Sequence, residues 1–397
     1  MPKTTEKQSP AASHRVLLIA PAPPPYGGMA LQARKLERLL REDGHTVVWI
    51  PSNLPFPNGL RVAEYIRGLR PLVRSVWMSI KLWGQVRQAD VVHIMAASWT
   101  YFFLVAAPAV VLSRMRGKRV VLNYRGGEAD RFFRWFGWII KPIFKMATVV
   151  TTASEFLAEV IRSHFQISVR IVPNILDLAA FKYRQRTSLE PKMLLTRHLE
   201  KIYEVDSALK AFRKVQERHP DASFWIAGTG SQEQYLRNLV SAWKLRNVRF
   251  LGHVAHEDLP AICAQCDILL NASRVDNFPG ALLEASAAGL VVVSTCAGGI
   301  PFIYRNGMNA LLVQPGDWQG LAEAVERVLH EPSLAHNLTL EAAALARKCE
   351  WKNVRSALYE AYGFVVERHQ DEVMGVPCAV GDGSNEVPGS GLRIEGI

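Results

Sequence analysis

The sequence predicts an α/β protein built from two doubly wound, Rossmann-like domains of parallel sheet that face each other across a cleft. Short runs rich in Val, Ile and Leu alternate with amphipathic stretches from residue 13 onward. The same alternation starts again after one polar segment, residues 177–191, which we take as the linker. Continuous apolar runs between helical stretches are typical of parallel strands covered on both faces. A length of 397 residues also favours two domains over one.

The first domain, residues 13–176, contains six predicted strands. They are RVLLIA (15–20), HTVVWI (45–50), ADVVHIM (89–95), KRVVLNY (118–124), TVVTTAS (148–154) and VRIVPN (169–174). A helix is predicted from Met29 to about Asp43, after the loop PAPPPYGG. The stretch from Trp99 to Leu112 is the most apolar, but its roughly fourteen residues are too few to cross a bilayer, so we expect a buried helix there.

The second domain, residues 192–348, contains six further predicted strands. They are MLLTR (193–197), ASFWIAG (222–228), VRFLG (248–252), DILLNAS (267–273), VVVST (291–295) and ALLV (310–313). A terminal helix of about fifteen residues is predicted from Trp351 to Val366, inside the terminal segment 349–370. Residues 1–12 and the Gly/Ser-rich tail 371–397 are expected to be disordered.

Positive charge is concentrated in the first half of the chain. Residues 1–180 hold 24 Lys and Arg against 11 Asp and Glu, whereas residues 181–397 hold 23 against 25. The excess favours an anionic partner for the first half. Two segments there, residues 60–88 and 130–147, combine cations with Trp and Phe, which fits either an anionic membrane surface or packed helices with a solvated basic face. Nucleic acid is not expected as a partner, because no recognised nucleic-acid module appears.

The cysteines favour a reducing compartment, because the five of them are odd in number and lack the spacing of a secreted framework. Cys263 and Cys266 form a CxxC pair, which zinc or redox chemistry could use. A structural zinc site needs four ligands, and no second pair appears at a suitable spacing. We therefore expect the pair to serve helix packing, with no metal site. The N-terminal stretch is a poor signal peptide, so we expect a cytoplasmic protein.

Glycine-rich loops follow strands in both domains. Gly27-Gly28 opens the first helix, GTGSQE (228–233) follows the second strand of the second domain, and CAGGIP (296–301) follows a later one. Backbone amides at a helix N-terminus suit a phosphate or a sugar ring that approaches closely. Glycines in a turn can equally be an ordinary turn, so both interpretations stay open.

A pair of cations follows the first strand of the second domain. Arg197 leaves the strand end, and Lys201 comes four residues later. Two cations over a cleft could neutralise a leaving diphosphate, as a bound magnesium ion does in other enzymes. The alternative is solvated surface charge.

Two carboxylates flank a sharp turn after the strand DILLNAS. Asp276 precedes Phe278-Pro279-Gly280, and Glu284 lies eight positions after Asp276. Proline is well tolerated in a first helical turn, and free amides from Gly280 onward could bind an anion while Glu284 accepts a hydrogen bond from a ribose. The plainer interpretation is an exposed acid followed by an ordinary helix.

These motifs resemble those of the large group-1 family of retaining nucleotide-sugar glycosyltransferases, which have the GT-B fold. The likeness runs from about Arg15 to Glu367 and is strongest over RHLEKIYEV, FLGHV and SRVDNFPGALLEASAAGLVVVSTCAGGIPFIYRNGMNALLVQPGD. It implies a nucleotide diphosphate sugar as donor, no metal or other cofactor, and a terminal helix that crosses back to the first domain.

The resemblance also implies a role for each matching residue. Asp276 stands at the first acid of the family's Glu-x7-Glu element, which holds donor-sugar hydroxyls, and Glu284 at the second, which holds the nucleotide ribose. Arg197 and Lys201 match the residues that hold the diphosphate. The turn Gly27-Gly28 matches the one that closes on the donor.

Further donor contacts are implied at two backbone segments. Gly252, His253 and Val254 resemble the strand end that binds the base. Phe278, Pro279 and Gly280 form the turn between the two acids, beside the donor.

The sequence departs from the family in two places. The first acid is Asp276, one methylene shorter than Glu, so its sugar contact is expected to change. Arg125 stands where the family often has a His that reaches the donor sugar, and an arginine cannot act as a general base. In the front-face mechanism usually proposed for such enzymes, the departing phosphate takes the acceptor's proton. His93 is a second candidate for the cleft, with a structural role as the alternative.

The resulting expectation is a hexosyltransferase that acts with retention on a hydroxyl acceptor. We expect that acceptor to be a lipid-linked or envelope/exopolysaccharide glycan, at the inner face of the membrane. Two alternatives remain open from the sequence: a nucleotide-sugar epimerase of the same fold, and a catalytically silent homologue that binds a nucleotide sugar or a membrane.

Overall fold

The computed structural model describes residues 13–24, 27–56, 69–186 and 188–365. Within them the chain forms two parallel sheets of six strands each. Every strand predicted from the sequence is present, and the predicted fold class is confirmed. The domain limits drawn from the sequence stay a prediction. The expectations stated above for residues 1–12, Tyr26, residues 57–68 and residues 366–397 fall on segments outside the described ones.

The first sheet has the strand order β2-β1-β3-β4-β5-β6. Its strands are β1 (Arg15–Ala20), β2 (Thr46–Pro51), β3 (Val91–Ala96), β4 (Arg119–Tyr124), β5 (Val149–Thr152) and β6 (Val169–Ile171). Its helices are α1 (Gly28–Glu42), α2 (Leu69–Gln85), α3 (Ala107–Met115), α4 (Ala129–Met146) and α5 (Glu155–Phe165). A π-helical turn, Phe102–Ala106, leads into α3, so the apolar stretch predicted as a buried helix is helical but not uniformly α.

The second sheet has the strand order β12-β11-β10-β7-β8-β9. Its strands are β7 (Lys192–Thr196), β8 (Ser223–Ala227), β9 (Val248–Gly252), β10 (Ile268–Asn271), β11 (Val291–Thr295) and β12 (Leu311–Val313). Its helices are α6 (Val205–Arg218), α7 (Glu233–Ala242), α8 (Leu259–Cys263), α9 (Gly280–Ala287), α10 (Trp318–His330) and α11 (Pro332–Arg347). Because β7 and β10 are neighbours, the loops after these two strands meet at one edge of the sheet.

Each sheet is buried on both faces, which explains the continuous apolar runs. In β1, for example, Leu17 and Ile19 pack into the core under α2–α5, whereas Val16, Leu18 and Ala20 pack on the opposite face with α1. Side chains that alternate between two covered faces must all be apolar.

The last helix, α12 (Trp351–Tyr362), belongs to the core of the first sheet although it follows the second sheet in sequence. Leu358 and Tyr362 are buried with Val16 and Val121, and Arg119 Nε donates to the carbonyl of Ala361 at 3.1 Å. The expected crossing back to the first domain is therefore confirmed.

The polar segment between the sheets is packed rather than solvated. Arg186 is buried, and its guanidinium donates to Asp267 Oδ1 at 2.8 Å and to the carbonyl of Gly289 at 2.6 Å. Phe181 is buried against the second domain. One of the polar residues of this segment thus forms a buried ion pair that attaches the segment to the second sheet.

Candidate active site between the two sheets

A cleft of about 1070 Å³ lies where the carboxyl ends of strands from both sheets approach each other. Parallel α/β sheets bind ligands at this edge. The wall from the first sheet includes Gly28, Gln32, Arg125, Gly127 and Asn174. The wall from the second sheet includes Arg197, Tyr203, His256, Asp276, Phe278 and Glu284.

An ion pair joins the loops after β7 and β10. The guanidinium Nη2 of Arg197 donates to Asp276 Oδ2, and its Nε donates to Asn271 Oδ1 at 3.2 Å. The side chains of Arg197 and Asp276 are only 14% and 7% exposed. The guanidinium also lies over the ring of Tyr203, 5.4 Å from its centroid. The sequence predicted both residues at the site but treated them as separate contacts, because only the sheet order reveals that their loops are adjacent.

Two glycine loops hold these two backbones in place. A Cβ added at Gly228 or Gly230 would overlap the main chain of Arg197 or Leu199. A Cβ added at Gly298 would overlap the carbonyl of Asp276, and the amide of Gly299 donates to that carbonyl at 2.6 Å. The glycines of GTGSQE and CAGGIP therefore permit close packing of protein backbone, which fits the ordinary-turn alternative for these loops. Binding of a phosphate by their amides stays a prediction.

The turn between the two acids is tightly hydrogen-bonded. Asp276 Oδ1 accepts from the amide of Phe278 at 3.1 Å, and the amide of Gly280 donates to the carbonyl of Phe278 at 2.9 Å. The amides of Leu282 and Leu283 both donate to the carbonyl of Pro279. The expectation of free amides from Gly280 onward is thus wrong for these three, because the turn itself uses them.

Glu284 lines the cleft and pairs with a histidine that the sequence reasoning missed. His256 Nε2 lies 3.0 Å from Glu284 Oε1, and the His256 ring packs edge-on against Phe181. The carboxylate is 12% exposed. A signal existed in the sequence, since His256 follows the predicted base-binding segment by two residues, but nothing in its spacing showed a partner on α9.

Some of the predicted site residues lie away from this cavity. Lys201 is exposed at the start of a short 3-10 turn, and the two residues after it line the cleft instead. Gly252, at a φ of +67°, accepts a hydrogen bond from the amide of Gly228, and His253 is exposed. Neither His253 nor Val254 lines the cleft. Their contacts with a base remain a prediction.

Arg125 projects from the end of β4 in the opposite wall. Its amide donates to the carbonyl of Ala96 at 2.8 Å, and its guanidinium donates to Asn174 Oδ1. Burial lowers the pKa of Arg125 to about 10, so the side chain is a cation at neutral pH. The amide of the Asn277 side chain donates to the carbonyl of Gly126 at 3.4 Å, which links the two walls.

His93 lies in the core below the cleft rather than in it. It is fully buried, with Nδ1 2.9 Å from the hydroxyl of Tyr362 and Nε2 3.4 Å from the amide of Asn123. Burial, with the charge of Arg125, lowers its pKa to about 3. The structural alternative for His93 is therefore the correct one: it attaches α12 to the first sheet.

The turn Gly27-Gly28 differs from the other glycine loops. Gly27 caps α1 in an extended conformation, and its carbonyl accepts from the amide of Leu31 at 3.1 Å. A Cβ added at Gly27 or Gly28 would meet no atom within 4 Å. Among the described residues, no atom requires glycine at these two positions, whereas a ligand that approaches the start of α1 would.

Two family models together match most of the chain. Residues 26–180 match the model described as Glycosyltransferase Family 4, and residues 181–344 match the one described as Glycosyl transferases group 1. The chain belongs to the group-1 glycosyltransferase family. It is a retaining glycosyltransferase that uses a nucleotide sugar, and its two sheets form the GT-B fold.

Curated relatives resemble the chain over most of its length. The glycogen synthase of Mycobacterium tuberculosis (strain ATCC 25618 / H37Rv) is 26% identical, over 88% of this chain and 94% of the relative. The sulfoquinovosyl transferase SQD2 of Arabidopsis thaliana is 23% identical, over 90% of this chain and 76% of the relative.

Solved structures share the fold at low sequence identity. Anabaena Alr3699/HepE, solved in complex with UDP and glucose, superposes with a TM-score of 0.68 at 15% identity, over 89% of this chain and all of the other. The sucrose-phosphate synthase from Thermosynechococcus elongatus superposes with a TM-score of 0.69 at 17% identity, over 88% of this chain and 98% of the other.

Two further features concern the helices and the acidic, His and Cys side chains of the described part of the chain. No helix there is long and apolar enough to cross a membrane. No group of three or more His, Cys, Asp or Glu side chains in those residues is arranged to hold a metal ion. Cys263 and Cys266 are buried in the core, and burial raises the pKa of each thiol to about 12.

Proposed function

We propose that this glycosyltransferase moves a hexosyl unit from a nucleotide diphosphate sugar to a hydroxyl group of a glycan acceptor. The observation that carries the proposal is the Arg197–Asp276 pair at two adjacent strand ends, with Glu284 further along the same wall. A cation for the diphosphate, an acid for the sugar and an acid for the ribose then line one cleft.

In this proposal Arg197 stabilises the negative charge that develops on the leaving diphosphate. When the donor binds, the guanidinium of Arg197 exchanges part of its contact with Asp276 for contacts with phosphate oxygens. Asp276 then becomes available to the sugar hydroxyls. Lys201 adds a second cation from the loop, and no metal ion is required for the charge. Gly28 allows the start of α1 to approach the donor.

At the other end of the donor, Glu284 accepts hydrogen bonds from the ribose, and His256 orients this carboxylate. The bond between the anomeric carbon and the phosphate oxygen breaks as the bond to the acceptor oxygen forms on the same face of the sugar. Arg125 cannot act as a base, so the departing diphosphate takes the acceptor's proton.

We further propose that the acceptor is a lipid-linked or envelope glycan, met at an anionic membrane surface. On α4, the cations Arg131, Arg134 and Lys145 share one face with Trp135 and Trp138, which are 64% and 78% exposed. This combination suits a lipid headgroup region. The polysaccharide product named for the glycogen synthase relative also supports a glycan acceptor.

A second exposed apolar surface lies on α2. Leu72, Val76, Ile80 and Trp83 are 52%, 60%, 58% and 39% exposed and follow one another at helical spacing. The guanidinium of Arg116 lies 3.5 Å from the centroid of the Trp83 ring. Apolar side chains bordered by cations on two helices of the same layer support peripheral membrane binding at the cytoplasmic face.

The test is to incubate the protein with nucleotide diphosphate sugars and with short soluble or lipid-linked oligosaccharides, and to follow the products by proton NMR. We expect a new glycoside whose anomeric configuration equals that of the donor. An inverted product would contradict retention. Conversion of the donor to another nucleotide sugar without acceptor would identify an epimerase. A donor that binds but stays intact with every acceptor would identify a silent homologue.

A further inference from the structure

The charged side chains around the cleft are mostly paired within the protein. Arg197 pairs with Asp276, Glu284 with His256, and Arg38 with Asp177. Arg125 is one of three cations in the lining, with Arg34 and Lys35 of α1, that have no described Asp or Glu side chain within ion-pair distance. Unlike the exposed Arg34, it directly follows a buried strand, β4. Its guanidinium contacts only a neutral oxygen, Oδ1 of Asn174, among the described side chains.

The missing carboxylate partner is unusual for a side chain at the position of Arg125. The guanidinium is sufficiently withdrawn from water that burial lowers its pKa to about 10, yet the side chain lines the cleft. A partly buried charge without a counter-ion is unfavourable, and a guanidinium has five N–H donors to satisfy. An anionic ligand in the cleft would supply both the charge and the acceptors.

The neighbours of Arg125 indicate which part of a ligand it meets. Asn277 donates to the carbonyl of Gly126 across the cleft, so the residue after Arg125 touches the residue after Asp276. Arg125 and Asp276 therefore bound the same end of the cleft. Glu284 and His256 lie further along α9 and the loop after β9.

We propose that Arg125 binds an anionic group carried by the transferred sugar, and that the donor is a nucleotide diphosphate uronate. This inference rests on the proposed function, in which Asp276 contacts the sugar hydroxyls. The planar carboxylate at C6 of a uronate matches the fork of a guanidinium with two parallel hydrogen bonds. Asn174 holds the guanidinium for this contact.

The experiment compares donors that differ only at C6: UDP-glucose with UDP-glucuronate, UDP-galactose with UDP-galacturonate, and GDP-mannose with GDP-mannuronate. The measurement is kcat/KM for release of the nucleotide diphosphate, together with the Kd of UDP and GDP alone. In the pair that the wild-type protein uses, we expect the acid to be preferred by about tenfold to a hundredfold, the range of a hydrogen-bonded charge.

Two variants test the role of Arg125 by different routes. Arg125→Gln removes the charge, and Asn174→Asp keeps the arginine but gives it a carboxylate partner within the protein. Both should abolish the preference for the acid while leaving the affinity for the nucleotide diphosphate within about twofold of wild type. Arg34→Gln, which removes an exposed cation from the same cleft, is the matched control and should keep the preference.

Five outcomes decide between these assignments. Loss of acid preference in both variants supports the proposal. Wild-type use of the neutral sugar as efficiently as the acid overturns it, although the glycosyltransferase proposal would stand. Weaker binding of the nucleotide diphosphate alone in Arg125→Gln would assign Arg125 to the diphosphate, and a changed preference between phosphorylated and neutral acceptors would assign it to the acceptor. Failure of every pair to bind would instead count against the proposed function itself.

Discussion

In the proposed reaction, Arg197 contacts Asp276 in the free protein and the leaving diphosphate when the donor is bound. Removing its side chain therefore tests its role in catalysis directly. We expect Arg197→Ala to lower kcat by about a hundredfold or more, as loss of a charge-stabilising donor does in other enzymes. Lys201→Ala should act in the same direction but less strongly, because Lys201 is exposed and outside the cleft lining. Initial rates of nucleotide release measure both effects, and adding EDTA should leave the rates of wild type and variants unchanged.

The control for Arg197 concerns stability. Arg197→Ala leaves the buried carboxylate of Asp276 without its counter-ion, which would itself destabilise the protein by a few kcal/mol. The double variant Arg197→Ala, Asp276→Asn removes both charges and should recover much of the melting temperature but none of the activity. Full activity in Arg197→Ala, or abolition of wild-type activity by EDTA, would refute the assignment.

The two acids should differ in what they do to the kinetics. Glu284→Ala should mainly raise the Kd for the nucleotide, because a ribose contact exists in the ground and transition states alike. Asp276→Ala should lower kcat more than it lowers affinity, because its contact is with the sugar that reacts. Calorimetry with the nucleotide diphosphate and steady-state kinetics with the whole donor separate the two. Unchanged turnover in Asp276→Ala would show that this acid does not contact the sugar.

The sequence predicted which residues belong to the site where a local motif contained them. It did not predict contacts whose partner lies elsewhere in the chain. Arg125, Arg197, Asp276 and Glu284 all line the cleft as predicted. His256 was missed because its partner lies on α9. The mutual pairing of Arg197 with Asp276 also required the order of the strands, which periodicity does not reveal.

At the scale of elements, α4 offers the clearest test of membrane binding. We expect the protein to bind anionic vesicles at low salt and to dissociate as salt rises, since the Debye length falls to about 8 Å near physiological ionic strength. Changing Arg131, Arg134, Lys141 and Lys145 to Gln should weaken binding by a few kcal/mol at most, at roughly 1 kcal/mol for each cation near the surface. Vesicle flotation measures the change.

The matched control removes four cations from another helix, Lys210, Arg213, Lys214 and Arg218 of α6. This variant should float with vesicles as the wild-type protein does, and both variants should keep activity on a soluble acceptor. If the wild-type protein stays in solution with anionic vesicles at low salt, the exposed faces of α2 and α4 have another role.

The attachment of α12 to the first sheet predicts a pH dependence of stability. Folding lowers the pKa of His93 from about 6.5 to about 3, so between these values the unfolded chain binds a proton that the folded protein does not. The free energy of unfolding should therefore fall by about 1.4 kcal/mol for each pH unit below 6.5 on account of this group, and be unaffected above it. In His93→Gln, the free energy of unfolding should lack this dependence. The difference in free energy of unfolding between wild type and variant, measured by urea unfolding, should therefore shrink at this rate as pH falls. A difference that is constant between pH 7 and pH 4 would contradict a neutral His93.

The elements themselves were the most predictable part of the structure. Strands covered on both faces are apolar throughout, so each run of Val, Ile and Leu identified one strand. The segment between the sheets was less predictable, because Arg186 is buried by a tertiary partner, Asp267. The glycines at 228, 230 and 298 were also ambiguous, since a glycine that admits a ligand and one that admits another backbone look the same in a sequence.

For the whole molecule, we expect the donor to lie between the two sheets, with its nucleotide against the second. A structure of the complex with a nucleotide diphosphate sugar, bound to Asp276→Asn to slow turnover, tests this most directly. We expect the ribose at Glu284, the diphosphate at Arg197, and the sugar between residue 276 and Arg125. A donor bound anywhere else, or a nucleotide held by the first sheet with its sugar away from Arg197, would contradict the account.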